Sequence, residues 1–520
     1  MASTWAPAGP GASACRQAWL LDSDRLLGRS KRQARRGCAI NPKQHAAAPL
    51  WTVASVTLAL AGCRTSAAPS RSHWNTGANL TAVQATDGRQ QEAQSVASNQ
   101  DVEAEPGQQE SIWQREQLGG DLGGIRSSLE SVGLTLDMSY TIEALRVVDG
   151  GLRRRTDVLG DIDLQLSADL EELLGWSGAR AFFYGLGNHG DNPSESVGDF
   201  QGVSNIEAPN TLRVLEAWFE QEWMDGRASG LVGLYDVNSE FDVIPAATLF
   251  INSSHGIGAD FGNSGRNGPS IFPVTSLAAR FKWRPSEWSY LHAVVADGVP
   301  GDPRRPRRTS IRFDDDDGLL LAAEVGLFNL PSEDLRRRSH AGSLSPSERR
   351  YGHFGKFALG VWGYTGEVDD LVRVDINGNP LQRSASFGVY ALGEQQVFYE
   401  PEDPSQGLSV FARAGLADEQ VQAIDRYLGA GLVYRGLVPD RGVDELGLAV
   451  AAARFGDEFQ GAAGGGSAWE DWELTLELTY RAVLAPWLSI QPDLQYVIHP
   501  GGDPQVDDAL VLGLRGLITL

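Results

Sequence analysis

Glu216, Trp218, Glu220 and Glu222 recur at every second position of one run, with Val214 at its start and Leu215, Ala217 and Phe219 in between. Side chains two apart on an extended chain share a face, so this spacing sets an indole between carboxylates. Paired carboxylates suit acid–base hydrolysis, but Glu216 and Glu220 on one strand stand about 13 Å apart, beyond the separation that glycoside hydrolases use. A secreted glycoside hydrolase is therefore kept only as an alternative. Cations follow the same period: Arg180 shares a face with Phe182 and Tyr184, and Arg280 with Lys282, opposite Phe281 and Trp283. His189, His255 and His353 are isolated and no H-E-x-x-H occurs, so no metal centre is expected. Gly119-Gly120-Asp121-Leu122-Gly123-Gly124 lacks the Gly-Lys-Ser/Thr ending of a phosphate loop, and there is no G-x-S-x-G elbow. Cys15, Cys38 and Cys63 leave everything after position 63 without a disulfide, a thiolate metal site or a cysteine nucleophile. The expectation is a chain with no catalytic residue, no metal and no cofactor.

The elements that carry these residues read as strands. From Leu134 to Glu143 every even residue is apolar or aromatic and every odd one polar, and Asp161–Leu170 and Trp472–Arg481 repeat the pattern. About sixteen such runs lie between 132 and 520, among them 178–187, 211–224, 227–236 and 274–284, and most are long enough for a tilted strand to cross a bilayer. Asp225-Gly226, Pro285-Ser286 and Ala485-Pro486 mark short turns, whereas 188–210, 237–273, 298–316 and 456–469 are long loops at the other end. Segment 330–352 is long where a short turn is due. Short turns on one side and long loops on the other are the signature of an antiparallel transmembrane β-barrel. No segment of the barrel region offers 18 successive apolar residues, and a closed barrel satisfies its backbone without one. Trp472, Tyr480, Trp487, Tyr496, Trp283 and Trp288 fall near strand ends, where interfacial girdles form.

Composition agrees. With 67 acidic against 44 basic residues and a net charge of −23, a nucleic-acid grip on a basic surface is not expected. Hydrophobic residues at 42% and charged residues at 21% are too apolar for a disordered chain and too polar for a helical membrane bundle. Lys31, Arg32, Arg35, Arg36 and Lys43 precede an uncharged stretch from Ala46 to Gly62, a secretory signal in outline. It ends Leu60-Ala61-Gly62-Cys63, which resembles a bacterial lipobox and makes Cys63 the expected site of lipidation. The domain organisation expected is a signal region 1–63, a Ser-, Ala- and Gln-rich flexible tether 64–110, a short helical segment 111–131 and a barrel 132–520.

Several ordered motifs are more specific than any alternation: Gly198-Asp199-Phe200-Gln201-Gly202-Val203-Ser204-Asn205-Ile206-Glu207-Ala208, Phe250-Ile251-Asn252-Ser253-Ser254-His255-Gly256-Ile257-Gly258, Phe272-Pro273-Val274-Thr275 and Leu488–Ile498. From about Gly119 to the C-terminus the chain resembles the carbohydrate-selective porins of the OprB type. The resemblance implies an all-β, sixteen-stranded outer-membrane barrel for passive diffusion of mono- or disaccharides into the periplasm through a constricted, sugar-binding eyelet. It also implies outer-membrane lipid as its surroundings and a homo-oligomer of the kind porins form. A non-conducting sugar-binding surface barrel is the other alternative.

A pyranose pairs an apolar C–H face with a rim of hydroxyls, so an aromatic plane edged with charged groups suits it. If Leu215 and Phe219 face lipid, Trp218 stands in the lumen between Glu216 and Glu220 as a sugar platform. Arg180, Arg280 and Lys282 are expected to form a basic wall facing that acidic side across the pore. Loop 237–273, with Phe241, Ile244, Phe250, Ile251 and Phe261, is too apolar to stay in water and is expected to fold inward.

Overall fold

A computed structural model describes residues 111–329, 355–376, 379–463 and 469–520. The expectations for the signal region, Cys63, the tether, His353 and segment 330–352 lie outside the described residues. The alternating runs form β1 Leu134–Asp149, β2 Thr156–Asp169, β3 Ala179–Gly190, β4 Thr211–Trp223, β5 Ala228–Tyr235, β6 Ser276–Ser286, β7 Ser289–Asp297, β8 Leu319–Phe328 and β9 Gly355–Tyr364. After a small hairpin of β10 Val368–Val374 and β11 Pro380–Arg383 come β12 Ser386–Tyr399, β13 Gly407–Ala417, β14 Ile424–Arg435, β15 Glu445–Phe455, β16 Trp472–Ala485, β17 Leu488–Ile498 and β18 Ala509–Thr519. All but the hairpin pair antiparallel with their sequence neighbours, and β1 pairs with β18 to close a sixteen-stranded barrel. Closure leaves no strand edge unpaired, as a lipid environment demands.

Period two puts opposite chemistry on the two faces of each strand. β16 buries Glu473, Thr475, Glu477 and Thr479 and exposes Leu476 and Leu478; the same inside-out pattern exposes Val325, Leu359, Val361, Leu448, Leu512 and Leu514 around the wall. Trp283, Trp288 and Tyr496 are exposed near strand ends, as girdle residues are. Trp487 is instead covered by the segment before the barrel: it stacks on Trp113 with ring centroids 5.7 Å apart and donates Nε1–H to Ile112 O at 2.7 Å. That segment carries a short helix at Ile125–Glu130, whose buried Arg126 donates to the carbonyl of Leu136 at the start of β1.

The barrel interior is filled largely by the second and third of the loops at the long-loop end, counted from the β1–β2 connection: 191–210 between β3 and β4, and 236–275 between β5 and β6. β5 is only eight residues long, and its last partner on β4 is Ala217 against Leu234, so β4 runs on to Thr211 unaccompanied by β5. The third loop therefore leaves the wall below its rim and turns inward. Phe241, Ile244, Phe250, Ile251 and Phe261 are all buried there, and all but Ile251 belong to one cluster with inward residues of the wall such as Tyr184, Leu231, Trp362, Tyr390 and Phe411.

Candidate functional site

β3, β4 and β6 bring four of the six residues expected at the pore, Arg180, Glu220, Arg280 and Lys282, into one connected charge ladder with Glu222 of β4 and an unforeseen member, Glu240 of the third loop. Arg180 Nη2 lies 2.7 Å from Glu220 Oε2 and 2.9 Å from Glu222 Oε1. Arg280 Nη2 lies 2.9 Å from Glu220 Oε1, its Nη1 donates to Ser229 Oγ at 2.7 Å, and its Nε is 2.6 Å from Glu240 Oε2. Lys282 Nζ reaches Glu240 Oε1 at 2.7 Å, and Tyr235 donates its hydroxyl to Glu240 Oε2 at 2.7 Å. Charge thus alternates Glu222, Arg180, Glu220, Arg280, Glu240, Lys282. Burial opposes the charge on Glu240, but Lys282 and Arg280 outweigh it and hold the carboxyl well below the ordinary range. The middle of the ladder is buried, while Arg180 and Glu222 keep 34% and 37% of their side-chain surface open.

This arrangement corrects the expected pair of facing walls. Arg180 stands directly opposite Glu220 in the β3–β4 register, and β5 alone separates β4 from β6. The acids and bases therefore pair along one wall instead of confronting each other across the pore.

Trp218 and Glu216 share the inward face, as their spacing predicts. The expected platform, however, is not open: Trp218 is 7% exposed and Glu216 2%. The Trp218 ring lies 5.1 Å from that of Phe182, its Nε1–H donates to Glu216 Oε2 at 2.9 Å, and the same oxygen accepts Asp236 N–H at 3.4 Å. The pair supports the root of the third loop. Leu215 does not face lipid. Tyr184 pairs with Glu216 and the next residue, Gly185, with Val214, so Leu215 is an extra residue in β4. A bulge of this kind breaks the alternation, and Leu215 is buried beside Glu216 while Leu212 is exposed. Phe219 does face outward, against Trp176 at 5.1 Å.

Across the lumen Arg413 of β13 clamps two loop carboxylates, Asp242 through Nε at 3.0 Å and Nη2 at 2.7 Å, and Asp260 through Nη1. Its guanidinium also stands over Tyr390 and Tyr427, 5.3 and 5.1 Å from their ring centroids. Nothing in the spacing of Glu240, Asp242, Asp260 or Arg413 distinguishes them in the sequence; they meet only because the loop folds inward. The one signal was that loop's apolar content.

The family description "Carbohydrate-selective porin, OprB family" matches residues 153–520. Porin B of Pseudomonas aeruginosa is 26% identical over 436 residues, covering 76% of this chain and 89% of that protein. A putative porin, QuiX, of Acinetobacter baylyi is 21% identical over 436 residues, with 77% and 92% covered. The barrel superposes on the high-pH structure of Pseudomonas putida OprB with a TM-score of 0.67 at 23% identity, covering 79% of this chain and all of that one. A closed sixteen-stranded barrel narrowed by an inward loop, together with a family match running through nearly all of its strands, makes this chain a member of the carbohydrate-selective OprB porin family, a bacterial outer-membrane sugar porin.

Proposed function

We propose that mono- or disaccharides cross this outer-membrane pore past the charge ladder, with Arg180 and Glu222 at its open end and the partly exposed Lys282 at its other end offering hydrogen bonds to their hydroxyls. Glu220 holds Arg180, Glu240 holds Lys282, and Arg280 ties the two glutamates together. The observation that carries this reading is the ladder itself: alternating acids and bases, joined to the constricting loop through Glu240, with its terminal groups left accessible. Such a surface replaces water around hydroxyls one bond at a time. Each bond contributes about 0.5–1.5 kcal/mol net, which suits a site that must release what it binds. Trp218 and Glu216 act beneath it, holding the loop root; sugar reaches the indole face only if that root lifts. Glu216 and Glu220 on one strand, the latter paired to two arginines, give the hydrolase reading no support.

Two further assignments rest on the sequence. Leu60-Ala61-Gly62-Cys63 supports acylation at Cys63. Assembly into a homo-oligomer is proposed by analogy with porins generally.

The site is tested by titrating sugar against single-channel current in the wild type, Arg180→Gln and Lys282→Gln. Both variants should bind sugar several-fold more weakly with small-ion conductance little changed. Wild-type sugar affinity in both would move the binding groups elsewhere in the pore.

A further inference from the structure

The second and third loops are held against the wall opposite the charge ladder by glutamates, and the way they are held is specific. Glu473 and Glu477 lie four residues apart on β16, so both point inward, and both are fully buried. Neither accepts an arginine or lysine among the ion pairs of the described residues; what they accept is loop backbone. Glu473 Oε1 takes N–H bonds from Phe200 at 3.0 Å and Gln201 at 2.9 Å, and its Oε2 from Phe200 at 2.9 Å and from Gly501 of the last loop at 2.5 Å. Glu477 Oε1 takes Ile251 N–H at 2.6 Å and Oε2 takes Asn252 N–H at 3.0 Å. The two loops are then locked to each other: Asn205 N–H to Ile251 O and Ser253 N–H to Gly202 O, both 2.8 Å. Two more buried glutamates repeat the device nearer the start of the third loop, Glu324 of β8 accepting Asp242 N–H at 2.9 Å and Glu394 of β12 accepting Ala246 N–H at 2.7 Å.

We propose that Glu473 and Glu477 are positioning residues for selectivity: by capturing loop amides at both carboxyl oxygens, they fix how far the paired loops project into the lumen, and so set the size limit of the pore. This rests on the proposed passage of sugars through the constriction, but its first readout does not require sugar. The geometry calls for an acceptor at both oxygens of each side chain, with Asp493 beside Glu477 and Asp199 beside Glu473 as neighbouring acids. Both oxygens face N–H donors, and a carboxylate is the side chain that only accepts. A glutamine has the same shape yet turns one acceptor into an NH₂ donor pressed against a backbone N–H, an arrangement that leaves buried donors unmet. A merely space-filling role would tolerate that exchange.

The test is single-channel recording of Glu477→Gln, Glu473→Gln and the double variant, alongside liposome swelling with sugars of increasing size. Recording counts only inserted, folded channels, so a loss of folded yield does not obscure the result. The double variant should keep the heat-modifiable mobility of a folded barrel. Its ion conductance should rise by roughly two-fold or show frequent larger substates, because the narrowest section sets conductance. Trisaccharides excluded by the wild type should enter. Folded channels with wild-type conductance and wild-type size exclusion would overturn the proposal. Raised conductance in the variants, with a wild type that sugar never blocks, would uphold the positioning role and count against the sugar site instead.

Discussion

Trp218 illustrates what a residue's spacing does and does not reveal. Period two correctly puts it on the inward face with Glu216 and Glu220, but the apolar content that sends the third loop inward does not say that the loop covers that face. Truncation of a buried tryptophan leaves a cavity, so Trp218→Ala should lower barrel stability by about 3–5 kcal/mol. A drop in the temperature at which the folded, fast-migrating band converts to the unfolded one would show this; an unchanged transition would mean the ring is not packed as described. Lys282→Met should act differently. It removes a cation that is 17% exposed and leaves the Arg280 contact to Glu240, so the pore should become more cation-selective, read as a shift in reversal potential under a salt gradient. Two misreadings at this scale have physical causes. Strict alternation would turn Leu215 to lipid with Phe219; a bulge in β4, which only the register of β3 against β4 exposes, turns it inward instead. The basic wall was expected across the pore, although consecutive antiparallel strands must be neighbours, and neighbours pair their charges side by side.

At the scale of elements, the strands were legible and the loops half so. A strand in this barrel needs only an apolar outer face and a polar inner one, and that requirement is written locally, residue by residue. A loop's destination depends on partners far away in sequence. The third loop's phenylalanines announced that it would leave water, but not that Asp242 and Asp260 would meet Arg413 on β13. Removing that arginine strands two buried carboxylates, and the loss of one partner from a buried pair costs about 3–5 kcal/mol. Arg413→Ala should therefore give channels with unstable, fluctuating conductance and a lower thermal transition. Quiet channels at the wild-type level and stability would show that the loop is held without this clamp.

The whole molecule joins these levels: an inside-out barrel that spends its polar residues on fastening loops in the lumen and its apolar ones on lipid. The sixteen runs marked by alternation correspond one for one to the sixteen barrel strands, and the long loops fall at one end as expected. The anchor expected at Cys63 makes a separate prediction at this scale: labelled palmitate should enter the wild-type chain and not Cys63→Ala, with channel activity the same in both. Labelling that persists in Cys63→Ala would remove the lipid anchor and leave the porin intact. The central claim, carbohydrate-selective passage, is most directly tested by liposome swelling with the wild-type protein, comparing a monosaccharide with a zwitterionic solute of the same mass. The sugar should enter several-fold faster than its size-matched competitor, because the ladder offers hydroxyls bonds that the competitor's charges cannot use as well. Equal rates for the two, or swelling no faster than protein-free vesicles, would mean that the pore does not select carbohydrate.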